Sequence, residues 1–426
     1  MWESLATTKR QDRVLHGAAK ALNVLIGLIV LPAWLVGQRL VEPLKRVLAL
    51  LDPEPPPKPP VPPERERSMA ALMADLEAIP GALEPRPLAE VRKGFADIST
   101  FVLTQLRETS GLGYSYPAQF TDHVFEGADG ERIAAAIAIQ DEPRPALIVV
   151  HGLFTSRRFD YVRQIAVNAF FDWGFSVAAV DLRSFGLTNY TSSAPSSAGW
   201  KEGEDVVALG RYLKQLGATS VGALGISLGG CTVLDACDVE GAEEALDGGI
   251  LAISPPAEPR AVAERLSRRL PRRHPAYALN YAFHAMLTSR ARGSGWPAEI
   301  ATLLDPVAML AAPYYEVSVD ELWSRAAPVN HIAGGRVPVL VLHPEDDQIV
   351  KVDEARKLAE LAADNDLVRV WILPAGKHGI LDAVDHDWTY AVYRMFFERW
   401  AGYERGAEDG SRRGAQIMDA AGTVTK

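Results

Sequence analysis

Cysteine is almost missing: Cys231 and Cys237 are the only two in 426 residues. They fall outside any Cys-x-x-Cys or Cys/His ligand pattern, so neither a disulfide scaffold nor a structural metal site is expected. A buried pair of free thiols is expected instead, which suits a reducing compartment. Positive charge is outnumbered, with 44 Lys/Arg against 54 Asp/Glu. The formal net charge is -10, and no long Lys/Arg stripe is present to replace counterions along a phosphate backbone. Nucleic-acid binding is thereby excluded as a main function, and small molecules or lipids are the expected partners. No internal repeat is found. An apolar content of 48% and this length allow one large or two ordinary domains with a sizeable core.

One stretch departs from the rest. "ALNVLIGLIVLPAWLVG", residues 21–37, holds seventeen residues without a charge, and Asn23 is its only strongly polar member. As a helix it would reach about 26 Å, at the short end of what spans a bilayer core. Pro32 would kink it, which membrane helices tolerate. Seven Lys/Arg against three Asp/Glu through Leu51 make a net of +4, which leaves -14 for the remainder. A positive, apolar leader on an acidic body points to an anionic membrane surface. Three readings stay open: a single membrane anchor, which is favoured, a helix packed on the protein's own body, and a cleaved secretory leader. The last is weakest, because no small-x-small cleavage site follows the run. The flanking charges do not fix an orientation, so a body facing the cytoplasm is one option.

Beyond residues 1–51, "DPEPPPKPPVPPERERS" (52–68) has eight prolines in seventeen residues and reads as an extended spacer. Helical spacing follows over 69–111, an accessory helical layer. The period then changes. "HVFEGADGERIAAAIAI" predicts two strands around a turn, and short unalternating apolar runs come after it: "ALIVV" (146–150), "SVAAV" (176–180), "SVGALGI" (220–226), "GGILAI" (248–253), "VPVLVLH" (337–343) and "VRVWILP" (368–374). Runs of this kind suit parallel strands buried on both faces, so a doubly wound, mostly parallel α/β sheet is expected over residues 112–401. The interruption between Ser254 and Asn330 is too long for a loop and predicts an inserted helical cap at about 255–330. Its arginines read first as a solvated helix surface and second as a face for a membrane or an anion. From 402 to 426 the chain is polar without periodicity, and a disordered tail is expected.

Gly225-Ile226-Ser227-Leu228-Gly229 is a G-x-S-x-G sequence between an apolar run and "GGCTVLDAC", the strand-to-helix context of a nucleophile elbow. In such an elbow other chain passes close to the positions two before and two after the serine, which calls for glycine. A serine hydroxyl needs a base to take its proton and a carboxylate to orient the base. These should follow in the order serine, acid, histidine. Asp346 and Asp347 sit on a turn after "VPVLVLH", and both are candidates for the acid. His378 follows "VRVWILP". The only other histidine after the acid, His386, lies deeper in the final helical pattern. The oxyanion of an acyl-transfer transition state needs two backbone donors. Leu228, next to the nucleophile, is one candidate. Leu153 in "VVHGLFTSR" is the other, with Phe154 second, while His151 before the glycine is expected to be structural rather than a base.

"HGLF", "DLRSFG", "GISLGG", "HPEDDQIV" and "GKHGIL", in this order, resemble the α/β-hydrolase superfamily from about residue 120 to 400. The resemblance implies an α/β-hydrolase fold and a Ser227, Asp347, His378 triad. Asp347 is preferred to Asp346 because the family's acid turn reads glycine-x-x-Asp, with Pro344 here in the glycine's place. Ser184 likewise stands where a glycine is usual. "YYEVSVDELWSRAAPVNHI" (314–332) is similar to the YheT-like branch, whose members act on esters and, in some relatives, lipids. The expected activity is cleavage of carboxylic esters of apolar or lipid acyl groups, without metal or organic cofactor. Amide or thioester hydrolysis or acyl transfer by the same triad is the enzymatic alternative, and a non-catalytic binding module is the alternative from another class.

Overall fold

The computed structural model describes residues 67–79, 115–273, 280–281, 283–285, 287–288, 296–379, 381 and 385–403. The apolar run 21–37, most of the proline-rich spacer, most of the 69–111 segment and nearly all of the expected tail lie outside the described residues. Among the described residues no helix is long and apolar enough to cross a membrane.

An eight-stranded sheet organises the body, built from β1 (Thr121–Glu126), β2 (Arg132–Ala138), β3 (Ala146–Val150), β4 (Ser176–Val180), β5 (Val221–Ile226), β6 (Ile250–Ile253), β7 (Val339–Pro344) and β8 (Val368–Leu373). The strand order is β1-β2-β4-β3-β5-β6-β7-β8. The pairs β1/β2 and β2/β4 are antiparallel, and every other pair is parallel. The unalternating runs form these strands because both faces are covered. In β3, Ala146, Ile148 and Val150 pack into one core cluster while Leu147 and Val149 pack into the other. Each residue of β3 therefore needs an apolar side chain whichever way it points, and β4, β5, β6 and β7 are likewise buried along their whole length, whereas β8 at the sheet edge exposes Arg369.

The helices fill those two layers. On the Ile148 side lie α3 (Trp200–Gln215), α4 (Leu228–Asp235) and α7 (Val352–Leu361), through Val206, Leu209, Leu213, Val233, Leu234 and Leu358. On the Leu147 side lie α1 (Met69–Glu77), α2 (Asp160–Asn168) and α8 (His386–Ala401), through Leu72, Leu76, Val162, Ile165, Phe396 and Phe397. Local signals set the ends of these helices. Ser68 Oγ accepts the Ala71 N–H at 3.2 Å to cap α1, and Asp385 does the same for α8 through the Trp388 N–H at 3.0 Å. Gly402 ends α8 at φ 63, a left-handed position natural to glycine.

Between β6 and β7 the chain leaves the sheet and forms α5 (Pro259–Ser267), a π-helical turn at Val307–Ala311 and α6 (Val319–Arg325). Ala263, Val307, Ala311, Ala312, Leu322 and Trp323 give this insertion a small core of its own. Polar bonds hold it on the body: the Tyr315 hydroxyl donates to Pro195 O at 2.6 Å, and Arg183 Nη1 donates to the Tyr315 oxygen at 3.0 Å. The chain passes from β3 to β4 on one side and then to β5 on the other. That reversal opens a crevice at the carboxyl ends of the central strands, where doubly wound sheets place their sites.

Candidate active site

Ser227 is the single residue between β5 and α4, at φ 59 and ψ -117. A non-glycine residue there costs on the order of 1–3 kcal/mol, which the surroundings must offset. They do so with backbone bonds: the Ser227 N–H donates to Ile253 O at 2.9 Å, and Ser227 O accepts the Cys231 N–H at 2.9 Å. The flanking glycines are sterically required. A Cβ on Gly225 would stand 2.0 Å from Gly229 O, and one on Gly229 would stand 2.5 Å from Val150 O. The turn is tight enough that positions 225 and 229 meet each other and the end of β3.

The two candidates for acid and base, Asp347 and His378, arrive on the next strand ends. Asp347 follows β7 and is 2% exposed; its Oδ1 accepts the Ile349 and Val350 N–H groups at 2.8 and 2.9 Å. Its Oδ2 lies 2.8 Å from His378 Nδ1, and His378 Nε2 lies 2.9 Å from Ser227 Oγ. A carboxylate only accepts, so Nδ1 carries the proton and Nε2 is left to accept the serine hydroxyl. Burial alone would raise the Asp347 carboxyl. The charge that His378 carries once protonated, its hydrogen bond, the Val350 N–H and the charge of a protonated His343 outweigh it and hold Asp347 below the ordinary carboxylate range.

The loop after β3 lies against this turn. A Cβ on Gly152 would be 3.4 Å from Ser227 Cβ. The Gly152 N–H donates to the Tyr161 hydroxyl oxygen at 2.8 Å, and Gly152 O accepts from Thr155 Oγ1 at 2.8 Å and from His151 Nδ1 at 2.8 Å. Because His151 Nε2 accepts the Leu182 N–H at 3.1 Å, the His151 proton must sit on Nδ1. This fully buried histidine is therefore committed to holding the loop. Fixing Gly152 O also fixes the Leu153 N–H, since the two belong to one planar peptide and point opposite ways. Leu228 opens α4, so its N–H has no carbonyl one turn back. Among the described residues neither the Leu153 nor the Leu228 amide has an acceptor.

The structure thus brings Ser227, Asp347 and His378 into one bonded row, with Leu228 next in the chain and Gly152, the neighbour of Leu153, packed against the serine. Asp346 points elsewhere, to Lys377. Ser184, in the place of a usual glycine, adopts φ 66, and its Oγ accepts the Ser196 N–H at 3.0 Å. Thr155 and Tyr161 escape a reading of motifs. Their signal is only a hydroxyl three and nine residues after a glycine, a pattern too common to single out.

Cys231 and Cys237 are free and buried, and burial pushes both thiols up. Among the described residues no His, Cys, Asp and Glu side chains gather as a metal-binding group. A cleft of about 420 Å³ opens where Tyr315 of the insertion meets Arg183 and Trp200, away from Ser227. Its cations are matched by neighbouring carboxylates, Lys201 by Asp129 and Glu204 and Arg325 by Glu321.

Fold and elbow together define a class: an α/β sheet that presents one serine at a strand-to-helix turn. The chain belongs to the alpha/beta hydrolase family, whose profile matches residues 147–392, more than half of the 426. No curated protein matches it. Among solved structures it is similar to the Pyrococcus furiosus esterase Pf2001, with 19% identity, 67% of this chain and 93% of that one covered, and a TM-score of 0.49. It is also similar to a Mycobacterium tuberculosis puromycin-hydrolyzing peptidase, with 17% identity, 68% and 41% covered, and a TM-score of 0.47. For Est1E from Butyrivibrio proteoclasticus the figures are 14%, 65% and 96%, and 0.39. These comparisons stop at the family and carry nothing on the YheT-like branch.

Proposed function

We propose that the protein is a serine hydrolase that cleaves carboxylic esters through an acyl-enzyme. The observation that carries this reading is the bonded row from Asp347 Oδ2 through His378 to Ser227 Oγ, at 2.8 and 2.9 Å. Ser227 Oγ attacks the ester carbonyl carbon as its proton passes to His378 Nε2. The negative oxygen that forms sits between the Leu153 and Leu228 amides, and Asp347 stabilises the imidazolium. Collapse breaks the bond to the alkoxy group, which takes the proton from His378 and leaves as alcohol. Water then attacks the acyl carbon, gives a proton to His378, and releases the acid with Ser227 restored.

An apolar acyl group fits the surroundings. Leu153, Phe154 and Leu228 join the insertion's Leu287 and Ile300 in one cluster, and the Phe154 and Phe283 rings lie 6.2 Å apart. A lipid ester at a membrane is the extension of this reading that the uncharged run 21–37 supports; finding the full-length protein wholly soluble after cell fractionation would count against it.

The test is labelling by a fluorophosphonate probe, with turnover of a matched ester, amide and thioester. Labelling of the wild type, its loss in Ser227→Ala, a fall in ester turnover of about a thousandfold or more, and preference for the ester are expected. A folded protein that does not label, or labels equally in Ser227→Ala, would overturn the reading. Preference for the amide or thioester would keep the triad and move the substrate class.

A further inference from the structure

Asp346 and Lys377 each stand one residue before a member of the bonded row. β7 and β8 are parallel neighbours, in register from Val339↔Val368 to Pro344↔Leu373, so the turn carrying Asp346 and Asp347 emerges beside the loop carrying Lys377 and His378. The base loop is sharply folded, with φ of 146 at Gly376, 51 at Lys377 and 70 at Gly379. A Cβ on Gly376 would be 2.7 Å from Pro344 Cγ, so the loop rests directly on the acid turn. Lys377 is the residue of the three that carries a side chain, and its left-handed backbone must be held by its surroundings.

Asp346 does the holding. Its Oδ1 accepts the Lys377 backbone N–H at 2.8 Å, and its Oδ2 lies 3.1 Å from Lys377 Nζ. The lysine and aspartate side chains are 33% and 25% exposed, so the ion pair itself contributes little. The charge-assisted bond to the backbone N–H fixes the loop. Asp347 has its own anchors in the Ile349 and Val350 N–H groups, which leaves His378 as the member that needs an outside restraint.

We propose that Asp346 is a positioning residue for the base, stapling the His378 loop to the acid turn; this rests on the triad reading above. The full chain is assayed for kcat, KM, fluorophosphonate labelling rate and thermal unfolding. In Asp346→Ala, kcat and the labelling rate fall about tenfold or more while KM stays within about twofold, since a base displaced by a fraction of an ångström still lets substrate bind. Asp346→Asn keeps a carbonyl that can accept the Lys377 N–H and recovers kcat to within about threefold of wild type. Lys377→Ala keeps the backbone N–H and loses less than Asp346→Ala.

Three results would overturn the staple: wild-type kcat and labelling in Asp346→Ala, a loss confined to KM, or Asp346→Asn as impaired as Asp346→Ala. Should Asp346→Ala not fold, Asp346→Asn decides, because the staple requires it to be active. A wild type that does not label at Ser227 sinks the triad reading instead, so the two failures are told apart.

Discussion

His343 lies directly behind Asp347, with its Nε2 3.9 Å from Asp347 Oδ2 and 3.0 Å from Val350 O. A carbonyl only accepts, so Nε2 carries the His343 proton, and among the described residues Nδ1 has no partner. The ring is fully buried, and burial pushes its pKa down although Asp347 and Val350 pull the other way. The folded protein therefore holds His343 neutral over a range in which the unfolded chain protonates it. Stability from this group is present above the unfolded value of about 6.5 and is lost as pH falls through the folded one. Denaturant unfolding between pH 7.5 and 5 should show the wild type losing more stability than His343→Gln. Equal losses would remove His343 as the cause.

His331 has the opposite sign. Its Nδ1 lies 3.0 Å from Asp238 Oδ1 and its Nε2 lies 2.7 Å from Arg325 O, so both nitrogens face acceptors and only the imidazolium can donate to both. Burial alone would lower its pKa. The Asp238 bond, the charge of Asp235 and the Arg325 carbonyl outweigh it and raise the pKa to about 9. Stability from this group is complete below the unfolded value of about 6.5 and is lost as pH rises through about 9. Unfolding midpoints from pH 7 to 9.5 should fall more steeply in the wild type than in His331→Gln, and parallel curves would dismiss the bond.

The parts of this molecule that could be read from its sequence are those governed by local burial. "ALIVV" and "SVAAV" have the bounds of β3 and β4, and the other four runs overlap their strands closely; five of the six become strands buried along their length, which cannot hide their apolar character, and the sixth becomes the edge strand β8 with Arg369 exposed. Ser227 announces itself through glycines that the fold needs for contact. The choice between Asp346 and Asp347 rested on family resemblance alone. Neighbouring residues on a turn differ only in which way they point, and that is decided by Ile349, Val350 and Lys377. Thr155, Tyr161 and His343 were illegible for a related reason: their partners are set by how loops stack, which leaves no period in the chain.

Gly229→Ala tests the elbow as a packing problem. The new Cβ would meet Val150 O at 2.5 Å and His151 O at 2.6 Å, both backbone atoms at the end of a central strand that cannot swing aside. The variant should lose about 1–3 kcal/mol of stability as an overpacked core. Its labelling rate should also fall, because the strand end that must yield carries the Gly152–Leu153 peptide. Retention of both stability and labelling would mean the turn is looser than these contacts require.

Asp347→Asn isolates what the acid of the proposed triad does for the base. The asparagine carbonyl can keep the Ile349 and Val350 N–H groups, which directs its amide NH₂ toward His378 Nδ1. Nδ1 must then accept, the proton moves to Nε2, and Nε2–H faces a serine hydroxyl whose proton it can no longer take. Loss of kcat on the order of 10⁴-fold is expected, with the fold and KM nearly preserved. Activity within about tenfold of wild type would deny Asp347 the role of acid. Asp346→Asn assayed beside it would then show whether the neighbouring carboxylate had taken that role, since the staple reading has that variant nearly fully active.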